Sequence, residues 1–271
     1  MSDLPAFRWA DGADRAIVAD GKRLECVAYG PPPDMAPTVV MLHEGLGCVA
    51  LWRDFPARLA SETGWGVFAY SRAGYGGSDP VDLPRPLDYM TREARSSLPE
   101  VLDLIGWRRG ILLGHSDGAS IAIVYAGEGR ADERLLGLAL MAPHVFTEAP
   151  GLASIAEARH AYESGGLRAR LAKYHREVDC AFRGWNDAWL DPGFKAWNIE
   201  GPVALWRVPA LLIQGVDDQY GTLAQIRAIE ARSPAPVEAL ILPASRHSPH
   251  IDQPQATLDA IARFCAAVGK R

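Results

Sequence analysis

A series of short apolar runs, each closed by a polar or glycine-rich turn, constrains this chain more than any other feature. The runs are "TVVMLH" (38–43), "WGVFAYS" (65–71), "ILL" (111–113), "LLGLALMAP" (135–143), "VPALLIQG" (208–215) and "VEALILP" (237–243). Runs this short, rich in Val, Ile and Leu, read as strands covered on both faces. "RLECVAYG" (23–30) reads as an earlier strand, stopped by Pro31-Pro32-Pro33. Helical patterns lie between the runs. "LWRDFPARLASET" (51–63) has helical spacing, with Pro56 as a kink or first-turn residue. Residues 88–105 place Tyr89, Ala94, Leu98, Val101, Leu102 and Ile105 on one side, and "QATLDAIARFCAAV" (255–268) closes the chain. Buried strands alternating with helices predict the α/β class: a mostly parallel sheet with helices on both faces.

Residues 147–205 break the rhythm. They hold no convincing strand, are rich in Arg, His, Trp and Ala, and are too long for a plain loop. The expected organisation is a core of residues 1–146 and 206–271 with an inserted helical cap at 147–205.

Composition removes several function classes. An apolar fraction of 48% and a charged fraction of 23% fit an ordinary soluble protein. The formal net charge of -5 gives no reason to expect a nucleic-acid partner. No apolar stretch approaches the roughly 18 residues needed to span a bilayer. "MSDLPAFRWADGADRA" carries acids and no apolar h-region, so no signal peptide is expected there. Cys26, Cys48, Cys180 and Cys265 are scattered and read as reduced thiols of a cytoplasmic protein. No His, Cys, Asp or Glu group has metal-ligand spacing, and no nucleotide-binding loop motif is present, so neither metal nor cofactor is expected. The expected partner is a small-molecule substrate; oligomeric state is left open.

In open parallel sheets, ligands bind beyond the carboxyl ends of the strands. There the chain delivers His43, Glu44 and Gly45, then Arg72, then His115, Ser116 and Asp117, then His144, then Asp217 and Asp218, and last Arg246, His247, Ser248 and His250. Serine, acid and histidine arrive in that order. Gly114-x-Ser116-x-Gly118 follows a strand and precedes a helical run, the context of a nucleophile elbow. The acid is Asp217 or Asp218, and the base is His247 or His250.

With these motifs in place the chain resembles an α/β-hydrolase with a cap domain. "LHEGLG" is similar to that family's His-Gly oxyanion loop, "YSRAGYGGSD" to its Arg-x-Gly-x-Gly-x-Ser turn, and "SRHSPHIDQP" to its histidine loop. Two departures stand out: Glu44 and Arg246 occupy positions where the family usually has glycine. The resemblance implies Ser116 as nucleophile. Its Gly-x-x-Asp spacing, counted from Gly215, implies Asp218 as the acid, and its first loop histidine implies His247 as the base. It implies oxyanion donors at the backbone N–H groups of Asp117 and Gly45. Family members acting on epoxides or haloalkanes carry aspartate at the elbow centre, where this chain has Ser116.

The expected reaction is therefore cleavage of a carboxylic ester, with esters of aromatic acids among the candidates, through an acyl-enzyme. C–C bond hydrolases and enol-lactonases of aromatic catabolism use the same residues, and a hydrolase-like ligand-binding protein is a further alternative. Specificity is expected from the cap aromatics Phe182, Trp185, Trp189, Phe194 and Trp197, with Trp185, Trp189, Leu46 and His144 in the pocket. Of the cap cations Arg168, Arg170, Lys173, Arg176 and Arg183, most are expected to be solvated, and one that reached the pocket would hold an acidic group.

Overall fold

A computed structural model describes residues 7–13, 15–127 and 133–270. Residues 1–6 of the N-terminal stretch, residues 14 and 128–132, and residue 271, all within the expected core segments, lie outside the described residues. The strands are β1 (Arg15–Ala19), β2 (Lys22–Tyr29), β3 (Thr38–Leu42), β4 (Gly66–Tyr70), β5 (Gly110–His115), β6 (Leu135–Met141), β7 (Ala210–Gly215) and β8 (Val237–Leu242). They form one sheet in the order β1-β2-β4-β3-β5-β6-β7-β8. β1 pairs with β2, and β2 with β4, antiparallel; every other pair is parallel.

β3, β4, β5 and β7 are buried at every position. Side chains alternate across the sheet, so each strand feeds two cores. Val40, Leu42, Phe68, Leu112 and Leu138 face one helical layer, and Val39, Met41, Val67, Ile111 and Leu113 face the other. The helices are α1 (Phe55–Thr63), α2 (Tyr89–Arg92), α3 (Leu98–Leu104), α4 (Asp117–Gly127), α5 (Ala149–Glu163), α6 (Gly166–Leu171), α7 (Val178–Leu190), α8 (Glu200–Val203), α9 (Leu223–Arg232), α10 (Pro249–Asp252) and α11 (Pro254–Val268). In α11 the stripe Leu258, Ile261, Phe264, Cys265 and Val268 is buried, the spacing of one helix face.

Three local features depart from the pattern read above. β1 is an additional edge strand, joined to β2 through Asp20-Gly21, both at positive φ (51° and 68°). That dipeptide is the chemistry of a tight hairpin turn. Residues 88–105 are not one regular helix, because a wide turn at Glu93–Ser97 separates α2 from α3. Pro99 lacks an N–H and its ring crowds the preceding turn, which a widened turn relieves. β8 is only half-buried, as expected of an edge strand.

Between β6 and β7 the chain runs through α5, α6, α7 and α8. A bridge between Phe146 and Asn198 draws the two ends of this excursion together. On α7 the stripe Phe182, Trp185 and Trp189 is buried and continuous with the core of the sheet. Among the described residues, no helix is long and apolar enough to cross a membrane.

Candidate active site

Ser116 stands between β5 and α4 with φ of 54°, a left-handed conformation that costs a non-glycine residue about 1–2 kcal/mol. The surroundings hold it there. Its N–H donates to the Met141 carbonyl (2.9 Å), and its carbonyl accepts from the Ala119 and Ser120 N–H groups. A Cβ on Gly114 would lie 2.4 Å from the Gly118 carbonyl oxygen, and one on Gly118 would lie 2.0 Å from that of Leu42. Both glycines are therefore demanded by backbone packing, and the sharp turn leaves Ser116 facing a cavity.

His247 shares that cavity. Its Nδ1 lies 2.9 Å from each carboxylate oxygen of Asp218, which leaves Nε2 as the free ring nitrogen. Asp218 is fixed in turn by the Gln214 side-chain amide (2.8 Å) and by the N–H groups of Tyr220 (2.8 Å) and Gly221 (3.3 Å). Burial alone pushes its carboxyl up. The charge and hydrogen bond of His247 and the Tyr220 N–H more than offset this and hold it at about 2. Asp217, one residue earlier, is exposed and does not touch His247; its N–H donates to the Ser245 carbonyl. His250 lies behind the site, its ring packed against Trp52 (4.9 Å) and His115 (5.3 Å), and burial pushes it down to about 3.

The two expected oxyanion donors flank the cavity. Gly45 lines it, and the Asp117 N–H opens α4, where unpaired N–H groups favour negative charge. Among the described residues neither N–H donates to a protein acceptor. The Asp117 side chain turns inward and accepts from the Tyr89 hydroxyl, which accepts from Trp189 Nε1 (3.1 Å). The Gly45 loop is braced from both sides. His43 Nε2 accepts from the Arg72 N–H (3.0 Å), so its Nδ1 carries the proton and donates to the Glu44 carbonyl (2.7 Å). From the cap, His175 Nδ1 accepts from the Gly76 N–H (2.9 Å), and its Nε2 donates to the Leu46 carbonyl (3.0 Å).

The cavity has a volume of about 190 Å³. Leu46, His144, Trp185 and Trp189 all line it, as do Glu44 and Ser248 from the sheet-edge turns; Ile155, Gln219 and Tyr220 line it too, and the sequence had not pointed to them. Tyr220 sits two residues after Asp218, close enough in the chain for its proximity to be anticipated. Ile155, on the first cap helix, carries no such signal. Trp185 lies against Gly45 so closely that a Cβ there would be 2.2 Å from its ring. Of the other cap aromatics, Phe182 stacks on Tyr162 (3.7 Å between centroids) and Phe194 on Trp197 (5.2 Å), away from the cavity lining. None of the five cap cations lines the cavity. Arg168 is tied to Asp179 (2.7 Å) and Arg176 to Asp79 (3.3 Å), both at the surface, where solvated carboxylates are the nearer partners. The expectation of a carboxylate-binding cap cation is therefore withdrawn.

Similarity to known proteins agrees with this architecture. The alpha/beta hydrolase fold family matches residues 37–183. Epoxide hydrolase B of Mycobacterium tuberculosis is 31% identical over 112 residues, which is 41% of this chain but only 31% of that protein's length. The esterase EaEST from Exiguobacterium antarcticum superposes with a TM-score of 0.75 at 18% identity, covering 93% of this chain and 98% of its own. Naproxen esterase from Bacillus subtilis gives 0.70 at 18% identity, covering 94% and 92%. The enol-lactonase from Burkholderia xenovorans LB400 gives 0.70 at 18% identity, covering 92% and 99%. At such identities the superpositions speak for the fold, whereas the family match covers more than half of the chain. The chain belongs to the alpha/beta hydrolase fold family.

Proposed function

We propose that this protein is a serine hydrolase that cleaves carboxylic esters, with Ser116, His247 and Asp218 as its catalytic triad and an aromatic group among its preferred substrates. The observation that carries this reading is a strained serine facing the same cavity as a histidine whose far nitrogen is held by a buried carboxylate. Ser116 Oγ attacks the ester carbonyl carbon while His247 Nε2 takes its proton. The carbonyl oxygen becomes an oxyanion between the Gly45 and Asp117 N–H groups, donors that need no reorganisation as charge develops. The intermediate collapses, the C–O bond to the alcohol breaks, and His247 returns the proton to the departing oxygen. Water then gives a proton to His247, attacks the acyl carbon and releases the acid with Ser116 restored. Asp218 stays ionised throughout and orients the imidazole.

The epoxide hydrolase relative raises a second chemistry. In the family that reaction needs a carboxylate at the elbow centre. Here the centre is Ser116, and the adjacent Asp117 carboxyl is spent on Tyr89 and does not line the cavity. Fluorophosphonate labelling, followed by a panel of ester, thioester, lactone and vinylogous diketone substrates, tests the reading. Labelling with fastest turnover on aryl or aromatic acyl esters is expected. Fastest turnover on the diketone or lactone would move the assignment to C–C or lactone cleavage. Labelling without turnover on any substrate would favour a ligand-binding role.

A further inference from the structure

Glu44 is the residue that the elbow chemistry leaves unused. Among the described residues lining the cavity it is the only Asp, Glu, Lys or Arg. Its side chain retains 25% exposure, and its Oε2 lies 3.4 Å from Nδ1 of His115, a fully buried imidazole. The carboxylate rests over Gly47, where a Cβ would be 2.3 Å from Oε2, so that glycine makes the room.

The protonation of His115 follows from its partners. Its Nε2 lies 2.7 Å from the His247 carbonyl oxygen, which can only accept, so Nε2 carries a proton. Its Nδ1 faces a carboxylate, where a bare lone pair would be repelled. A second proton on Nδ1 is favoured by that carboxylate and would make His115 a buried cation paired with Glu44. Burial acts against that charge, and the Glu44 contact more than offsets it, raising the imidazole above its ordinary value. The reciprocal effect keeps Glu44 ionised although burial acts to protonate it. The pair is one-sided: the imidazole lies behind the wall and the carboxylate faces the cavity.

Apart from that 3.4 Å contact, no described donor hydrogen-bonds the Glu44 carboxylate. Once a ligand displaces solvent, an ionised carboxylate with only that one long contact is costly, so a fitting ligand supplies an N–H or O–H group. The rest of the wall narrows the choice. Trp185, which packs on Gly45 next in the chain, and Tyr220, whose ring is 4.8 Å from His247, offer aromatic faces that attract cations.

We propose that Glu44 is a specificity-determining residue, and that the preferred ligands carry a protonated amine close to the scissile carbonyl beside an aromatic group. Which bond is cleaved rests on the serine-hydrolase reading above; the binding preference does not.

The test uses methyl esters of β-phenylpropanoic acid carrying an ammonium, a methyl or a carboxylate on the β-carbon. Wild type is expected to rank ammonium over methyl over carboxylate in kcat/KM. Glu44→Gln is expected to lower the ammonium-to-methyl ratio by about ten-fold, the scale of one charge-assisted hydrogen bond, while Glu44→Asp keeps most of it. Dividing the two rates cancels any general damage to the oxyanion loop. In parallel, calorimetry with phenethylammonium, phenethyl alcohol and phenylacetate reads binding without turnover. The ammonium compound is expected to bind tightest to wild type, and Glu44→Gln to remove its advantage. A wild-type ratio at or below one, tighter binding of the alcohol or acid, or an unchanged ratio in a folded Glu44→Gln variant would overturn the proposal. If Glu44→Gln does not fold, the wild-type rankings decide alone. Tight ammonium binding with no ester turnover would uphold the role of Glu44 and sink the esterase reading instead.

Discussion

The carboxyl edge of the sheet and the cap above it meet at one cavity, but they shape it by opposite means. At the sheet edge, backbone sets the geometry. Gly114 and Gly118 lie against main-chain atoms, Ser116 is forced to positive φ, and the proposed oxyanion donors are peptide N–H groups. In the cap, side chains set it. Trp185 and Trp189 reach down from α7, and a glycine such as Gly201 has nothing within 4 Å of a built Cβ. Backbone at the sheet edge can hold reacting atoms to fractions of an ångström, while replaceable side chains above it can change what is bound.

The comparison makes graded predictions. Ser116→Ala, a change of one atom at the sheet edge, is expected to lower kcat/KM by several orders of magnitude with a Tm within about 2 °C of wild type. Retained turnover would remove Ser116 from the mechanism. Asp218→Asn is expected to cost about a thousand-fold or more, and Asp217→Asn less than about three-fold, because only Asp218 touches His247. The reverse ranking in folded variants would move the acid one residue back. In urea unfolding, Gly118→Ala is expected to destabilise by about 3 kcal/mol, since its methyl meets the Leu42 carbonyl, whereas Gly201→Ala is neutral or slightly stabilising. Equal effects at the two glycines would erase the contrast.

A smaller effect concerns pH. Asp218 is held at about 2 when folded, below the usual carboxylate value of about 4. Its contribution to stability is therefore present above about pH 4 and lost as pH falls to about 2, roughly 2 kcal/mol in all. Asp218→Asn should flatten that part of the stability curve, and an unchanged slope would mean the carboxylate is not held as described. The mildest change is Trp185→Phe, which is expected to shift selectivity between aromatic and aliphatic acyl esters by up to about ten-fold. Because Trp185 also rests on Gly45, a uniform loss on all esters would show that bracing the loop outweighs reading the substrate.

Much of this was legible from local chemistry. The buried runs and the glycines about Ser116 are short-range signals, and they located the strands and the sheet-edge residues; the choice of Asp218 over Asp217 came from the family resemblance. β1 was missed although Asp20-Gly21 marks its hairpin, because "RAIVA" is short and half-exposed. The His175 brace could not be read, since its partners Gly76 and Leu46 lie far away in the chain and meet it only when the cap docks. The Glu44–His115 pair was hidden for the same reason; the sequence showed an odd residue in a glycine position, not what faced it. Cap arginines misled because surface carboxylates compete for them, a contest that spacing does not reveal.

The central claim is that Ser116 carries an acyl group during turnover. Rapid mixing with an aryl ester, an acid quench and mass analysis of the intact protein and its peptides tests it directly. The predicted result is a mass increase equal to the acyl group, located on the peptide containing Ser116, absent from Ser116→Ala, and accumulating in His247→Ala if acylation still proceeds there. An acyl group located on another residue, or turnover with no adduct on the Ser116 peptide at any time point, would contradict the account.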